Sequence, residues 1–182
     1  MATWRLAPGY SLVELLISTA VLGIVMAGVL GLLRSGVGAY GYGAARVEAQ
    51  QSARAALTRM ERELREAGYD PHATGIAPIV AAQPSLVIFQ RDLDGNGVVN
   101  ATRERVTFVL RPGETVLRRD AGSGGQPLIE GVRRFALTYF DPAGQPTTDP
   151  ARVAAIRMHL EVGLRGPATV MGAEVSLRNR VR

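Results

Sequence analysis

The clearest pattern in the chain is an unbroken apolar run near the N-terminus. From Tyr10 to Leu33 the only ionisable groups are the Tyr10 phenol and the carboxylate of Glu14. As a helix this run is about 36 Å long at about 1.5 Å per residue, and a hydrocarbon core is about 30 Å thick. The run is also longer than the apolar core of a secretory signal peptide, which has roughly 7–15 residues. The pattern predicts a transmembrane helix over residues 10–33.

Residues 34–68 change from an unbroken apolar run to a stripe. Arg34 ends the run, and four glycines follow between Gly36 and Gly43; each costs a helix about 1 kcal/mol, which makes this stretch its weak point. After Arg46, apolar residues recur at a 4-3-4-3 spacing at Ala53, Leu57, Met60, Leu64 and Ala67. This spacing predicts an amphipathic second half of the helix that packs against a sheet and ends near Gly68.

From residue 69 to residue 182 apolar residues tend to recur at every second position, which is typical of strands. In the clearest case Ile156, Met158 and Leu160 face one way and the residues between them face the other. The predicted strands are Leu86–Arg91, Glu104–Leu110, Thr115–Arg119, Val132–Phe140, Arg152–Leu164 and Ala173–Leu177. One long helix followed by successive antiparallel strands predicts an α+β fold, with the helix packed on an antiparallel β-sheet.

Composition narrows the range of functions. The net charge is +5, but all 21 basic residues are arginines and their positions alternate with those of acids, so nucleic acid is not an expected partner. The chain has no cysteine, which excludes disulfides, thiolate metal sites and a cysteine nucleophile. No nucleophile–base pair or phosphate-binding loop appears, and we do not expect an enzyme.

The residues Gly9-Tyr10-Ser11-Leu12-Val13-Glu14, directly before the long apolar run, resemble the N-terminal motif of the type IV prepilin family. The resemblance implies that residues 1–9 are a leader peptide, that prepilin peptidase cuts between Gly9 and Tyr10, and that Tyr10 becomes N-methylated. Glu14 matches the glutamate that the family carries at the fifth mature position. Pro8 and Gly9 are poor helix residues, so an extended segment suited to cleavage is expected before the helix.

The position of Glu14 also has a physical interpretation, which concerns its charge. Cleavage would give Tyr10 a new ammonium group, with Glu14 one helical turn away. In a filament of bundled apolar helices the carboxylate would be buried and would need a cation, because an unpaired buried charge is strongly destabilising. The ammonium of a neighbouring subunit would supply it and fix the axial register. The alternative is an acid at the membrane interface with no role in assembly.

Over the whole chain the resemblance is closest to minor pilin W and to the type II secretion pseudopilin J. The segments that carry it are Asp92–Gly97, Glu104–Phe108, Leu117–Arg119 and Leu177–Asn179. The resemblance implies a structural, minor subunit of a type IV pilus or a type II secretion pseudopilus. It further implies a single pass through the inner membrane, a C-terminal domain outside the cytoplasm, and three kinds of partner: other pilin or pseudopilin subunits, prepilin peptidase and the inner-membrane assembly platform. A membrane-tethered periplasmic module that binds DNA or another ligand is the alternative.

One loop contains candidate metal ligands. Asp92, Asp94 and Asn96 match positions 1, 3 and 5 of a calcium-binding EF-hand loop. Position 12, where a bidentate glutamate belongs, is Arg103, and Glu104 comes one residue late. Asp-Gly and Asn-Gly are also strong hairpin-turn pairs. A plain hairpin loop is the favoured interpretation, calcium binding is the alternative, and no other cofactor is expected.

Overall fold

The computed structural model of the chain describes residues 9, 11–100, 102–163 and 168–179. The described part contains one α-helix, eight β-strands and a short 3-10 helix at Pro150–Arg152. In chain order the helix and strands are α1 (Leu12–Arg65), β1 (Ile79–Gln83), β2 (Leu86–Gln90), β3 (Arg105–Val109), β4 (Leu117–Asp120), β5 (Gln126–Ile129), β6 (Val132–Phe140), β7 (Ala155–Val162) and β8 (Thr169–Ser176).

Helix α1 continues without a break through the glycine-rich stretch from Gly36 to Gly43. The chain divides into two compact units, and the boundary falls between Gly43 and Ala44. In the first unit the described residues are almost entirely the N-terminal half of α1. The second unit contains the rest of α1 and all eight strands.

The stripe predicted on the second half of α1 is buried. Its five residues are at most 4% exposed and belong to one apolar cluster that also contains side chains of the strands. Phe89 and Phe108 of β2 and β3 stack within this cluster, with ring centroids 6.0 Å apart. Each large apolar side chain buried in this way contributes about 1.5–3 kcal/mol. The α+β arrangement of a helix packed on antiparallel strands is therefore confirmed.

The strands form two antiparallel sheets, a division that the sequence pattern did not predict. One sheet has the order β1-β2-β3-β4-β5 and the other has the order β6-β7-β8. The chain passes from the first to the second at Gly131, whose φ is +71°, a conformation that glycine adopts at no steric cost. Apolar periodicity identifies strands but not their pairing partners, and for this reason it did not separate the two sheets.

Tyr139 of β6 connects the two sheets. Its hydroxyl lies 2.8 Å from the carbonyl oxygen of Gln83 and 2.9 Å from that of Leu86, on either side of the β1–β2 turn. The backbone N–H of Leu137 donates to the carbonyl of Pro84 in the same turn, at 2.7 Å. Burial raises the pKa of the Tyr139 phenol, which keeps the hydroxyl protonated as a hydrogen-bond donor.

An acid on the buried side of α1 fixes the helix to β4. The Glu63 side chain is only 12% exposed and accepts from Arg119 of β4 at 2.8 Å and from Arg59 at 3.1 Å. Burying a charge is costly unless it is paired and hydrogen-bonded. This pairing makes it possible for a carboxylate to lie beside the apolar stripe.

The six predicted strands are present, Val132–Phe140 with the predicted bounds and the other five with shifted ones, and two further strands were missed. The predicted strand over 152–164 is shorter, since Arg152 lies in the 3-10 helix and Leu164 is outside the described residues. The missed strands, β1 and β5, are the two edges of the five-stranded sheet. They have four or five residues each and no clear alternation, and β5 contains Pro127, which strands tolerate mainly at edges.

Candidate functional site

The apolar surface of residues 12–33 is the first candidate site. Its large apolar side chains, from Leu12 to Leu33, are between 45% and 76% exposed. The helix is long and apolar enough to cross a membrane. A contiguous apolar surface of this extent is unfavourable in water. Lipid or another apolar surface would remove it from water.

Two hydroxyl groups of α1, those of Thr19 and Ser35, are compatible with such an environment. Thr19 Oγ1 lies 3.0 Å from the carbonyl oxygens of both Leu15 and Leu16, one turn earlier in the helix. Ser35 Oγ donates to the carbonyl of Gly31, also at 3.0 Å. A polar group in hydrocarbon must be satisfied within the protein. The hydroxyl groups of Thr19 and Ser35 meet this requirement through hydrogen bonds to carbonyl oxygens of their own helix.

Glu14 is the ionisable residue within this apolar surface. It lies in the first turn of α1, where the helix dipole favours a negative charge. Its side chain is exposed, and it makes no ion pair with any residue that the structure describes. The predicted cleavage site falls mostly outside the described residues, since Gly9 is described but Tyr10 and residues 1–8 are not. Its assignment stays a prediction.

The loop between β2 and β3 contains the candidate metal ligands, and its backbone folds around Asp92. The Asp92 side chain is fully buried. Its Oδ1 accepts from the N–H of Gly95 at 2.7 Å, and its Oδ2 accepts from the N–H of Gly97 at 2.9 Å. Desolvation opposes ionisation of Asp92, but these N–H donors outweigh it, and the pKa is lowered overall. The loop connects the antiparallel neighbours β2 and β3, and whether it is a plain hairpin loop or a calcium site stays a prediction.

Glu104 closes the same loop from its other end. Its carboxylate accepts from the backbone N–H groups of Asn100 at 2.8 Å, Leu93 at 2.9 Å and Asp94 at 3.4 Å. These hydrogen bonds, that of Asn100 first, lower the pKa of Glu104 despite burial and the nearby charge of Asp92. The sequence comparison had placed Glu104 one residue outside the calcium pattern. The preceding Arg103 has a left-handed backbone, with φ at +70°.

The side chains that the structure brings together differ from the predicted ligands, because Glu104 takes the place of Asn96 beside Asp92 and Asp94. Oxygen atoms of Asp92, Asp94 and Glu104 lie within 4.8 Å of one another, and carboxylate oxygens are the ligands that Ca²⁺ prefers. The Asn96 side chain is engaged within the loop, since Oδ1 accepts from Val98 N–H at 2.7 Å and Nδ2 donates to Asp94 at 2.9 Å. Every carboxylate oxygen in the set already accepts from the chain. The loop is therefore held by its own donors.

Arginine side chains are distributed among acids. Eight of them form ion pairs with Asp or Glu in the described residues. Arg91, for example, is buried and contacts both Glu66 and the Arg103 carbonyl.

Two family models match the chain. The model described as prepilin peptidase-dependent protein B matches residues 44–171, more than two thirds of the chain. The model described as the prokaryotic N-terminal methylation motif matches residues 4–30, a segment that contains Gly9, Tyr10 and Glu14. A comparison with individual curated proteins found no match.

Glu104→Gln is expected to lower the free energy of unfolding at pH 7 by about 1–3 kcal/mol, because an amide cannot accept from all three N–H groups. The folded-state pKa of Glu104 is lowered, so its stabilisation is present above the unfolded pKa of about 4.3 and is lost as pH falls through the folded value. The difference between variant and parent should therefore shrink below about pH 4. Urea unfolding of residues 44–182 at several pH values measures it, with the exposed Glu130→Gln as the matched control. A difference that persists unchanged at pH 3 would contradict the role of the charge.

Calcium is expected to raise the melting temperature of residues 44–182 no more than magnesium does, because the loop donors already occupy the carboxylates. A site bound only in the folded state would add about 2.7 kcal/mol at a hundredfold excess over Kd, which is a rise of several degrees. Melting curves with Ca²⁺, Mg²⁺ and chelator distinguish the two cases. A calcium-specific rise that Asp92→Ala with Asp94→Ala abolishes would show that the loop binds the ion.

Proposed function

Because the chain belongs to the prepilin peptidase-dependent protein B family, we propose that it is a minor structural subunit of a type IV pilus or of a type II secretion pseudopilus. Processing by prepilin peptidase and assembly with other pilins follow from the two matched families. Such families consist of structural subunits, and the chain is not an enzyme. The observation that carries the proposal is the exposed apolar surface of residues 12–33 with Glu14 as its only charge.

Two features support a minor subunit. The chain lacks cysteine and so cannot form the C-terminal disulfide loop often seen in major pilins. The segments around Asp92–Gly97 and Leu117–Arg119 resemble minor pilin W and pseudopilin J. In the structure the first of these segments lies in the loop of the β2–β3 hairpin, and the second lies within β4.

The proposed mechanism begins in the inner membrane. Residues 10–33 hold the precursor in the bilayer with the leader on the cytoplasmic side and the β-rich unit outside the cytoplasm. Prepilin peptidase cuts between Gly9 and Tyr10 and methylates the new N-terminus. The assembly platform then transfers the helix from lipid into a bundle of other pilin helices, which cover the apolar surface that lipid covered before.

Glu14 sets the position of the subunit in that bundle. In lipid its carboxylate lies close to the headgroups, where the cost of the charge is small. In the bundle it leaves water, and the ammonium of a neighbour's Tyr10 is the available cation. Breaking a buried ion pair costs about 3–5 kcal/mol, so a helix displaced along the axis is rejected. A simple membrane tether has no need of this acid.

Mature protein is expected to begin with N-methylated Tyr10. Intact-mass and N-terminal analysis of protein extracted from membranes measures this. Gly9→Val should leave the leader attached because a bulky side chain disturbs the scissile segment, whereas Gly23→Val inside the helix should be processed normally. A mature chain that starts near Ala44 or Ala45 would mean an ordinary signal peptide.

Glu14→Ala is expected to leave membrane insertion intact, because Glu14 lies close to the headgroups, where its charge costs little, and removing a charge from the span cannot weaken insertion. The amount of subunit in sheared filaments should nevertheless fall, since a neighbour's ammonium loses its partner. Glu48→Ala, at an exposed acid further along the same helix, is the matched control. Unchanged incorporation of the Glu14 variant would favour the membrane-tethered binding module.

A further inference from the structure

Two exposed tyrosines follow the apolar run on α1. The side chain of Tyr40 is 80% exposed and that of Tyr42 is 64% exposed. Because helical residues two positions apart are separated by about 200° around the axis, the two rings lie on opposite sides of the helix. A helix that binds in the groove of a protein partner has its anchor residues on one side. Rings on both sides fit a medium that surrounds the helix.

The charges next to these tyrosines have one sign. Arg34 precedes them in the sequence and Arg46 follows them, and no Asp or Glu occurs between Glu14 and Glu48. Both arginine side chains are exposed. An arginine close to the end of a membrane helix extends its apolar stem along the hydrocarbon and places its charge among the headgroups. The phosphates of phospholipids carry the charge that complements it.

The spacing along α1 matches the layers of a bilayer. At about 1.5 Å per residue, Arg34 lies about 30 Å beyond Glu14 and Tyr42 lies about 42 Å beyond it. The hydrocarbon core is about 30 Å thick, and the bilayer with its headgroup layers is about 40–45 Å thick. With Glu14 close to the headgroups on one side, Arg34 reaches the opposite edge of the hydrocarbon. The two tyrosines then fall within the headgroup layer beyond that edge.

The side chain of Tyr40 is placed beside apolar neighbours. It lines a shallow apolar groove with three earlier residues of the helix, Leu33, Gly36 and Val37. This agrees with the tilt of helical side chains toward the N-terminus, which here is the direction of the apolar run. Tyrosine is frequent at membrane interfaces because an apolar ring and a polar hydroxyl meet hydrocarbon and headgroups at the same time.

We propose that residues 34–42 lie in the headgroup layer on the outer side of the membrane, where Tyr40 and Tyr42 contact phospholipid and Arg34 pairs with a lipid phosphate. This inference rests on the membrane insertion of residues 10–33 in the proposed function, and it adds a second fixed point to that insertion. Glu14 marks one boundary of the hydrocarbon and the tyrosines mark the other. The helix of the unassembled subunit therefore keeps one depth in the bilayer.

Fluorescence of the full chain measures the depth of Tyr40. The chain has one tryptophan, Trp4, so the variant with Trp4→Phe and Tyr40→Trp carries a single probe. In vesicles of phosphatidylcholine and phosphatidylglycerol, bromine atoms close to the lipid headgroup should quench it more strongly than bromine atoms near the ends of the acyl chains. With Trp4→Phe and Ile24→Trp, at the middle of the span, the order should be reversed.

A second experiment tests whether the tyrosines cause this depth. Because the chain has no cysteine, Ala39→Cys places a single thiol between the two rings. Maleimide carried on the headgroup of phosphatidylethanolamine should react with this thiol. A water-soluble maleimide should react several-fold more slowly than with Thr58→Cys, at an exposed position further along the helix.

Replacing both tyrosines in the Ala39→Cys chain separates anchoring from steric shielding. Tyr40→Ser with Tyr42→Ser should slow the lipid-borne maleimide several-fold and accelerate the water-soluble one, because the segment leaves the headgroup layer. Loss of shielding alone would accelerate both reagents. Tyr40→Trp with Tyr42→Trp should keep the parent rates, since tryptophan shares the preference for the interface.

Two results would overturn the inference and leave the proposed function intact. The first is a Tyr40→Trp probe that no brominated lipid quenches although the Ile24→Trp probe is quenched, which would place the tyrosines in water and available to a protein partner. The second is a pair of serine substitutions that changes neither maleimide rate or accelerates both. If no brominated lipid quenches either probe, the helix is not inserted, and the proposed function falls together with this inference.

Discussion

Apolar side chains on one face of α1, from Ala53 to Leu64, belong to the same buried cluster as residues of both sheets. The shared core is the constraint on which the rest of the fold depends. Neither sheet has a helix of its own among the described residues, and a three-stranded sheet with one apolar face is not stable in water unless something covers that face. Tyr139 and Glu63 add directional bonds to this packing. The second unit can therefore hold its shape whether the first half of α1 is in lipid or in a bundle.

Local pattern was sufficient to predict the elements that contribute most to the core. The 4-3-4-3 stripe of α1 and the alternation of Ile156, Met158 and Leu160 are strong because each of these side chains is almost completely buried. The edges β1 and β5 were missed because an edge strand is half exposed and need not alternate. The division into two sheets depends on long-range pairing and on one backbone angle at Gly131, which no local pattern contains.

In the loop after β2, the contacts in the structure differ from those that the calcium-loop motif predicted. Counting positions predicted a calcium-like loop with an arginine where its last acid belongs. In the structure Arg103 adopts a left-handed conformation, and Glu104 binds the loop backbone from the next position. Glu104 therefore stabilises the loop, although it lies one residue outside the calcium-binding pattern. Sequence alone indicated that Glu104 was close to the pattern, but its three N–H partners depend on a fold that brings Leu93 and Asn100 together.

Two surfaces of the described residues are left uncovered, and they differ in kind. The surface of residues 12–33 is apolar and non-directional, so lipid and a bundle of helices can replace each other around it, and in the proposed function Glu14 distinguishes one position in the bundle from the others. The edge of β8 is polar and directional, since only another strand can pair with its N–H and C=O groups. A membrane can cover the first surface indefinitely but cannot cover the second.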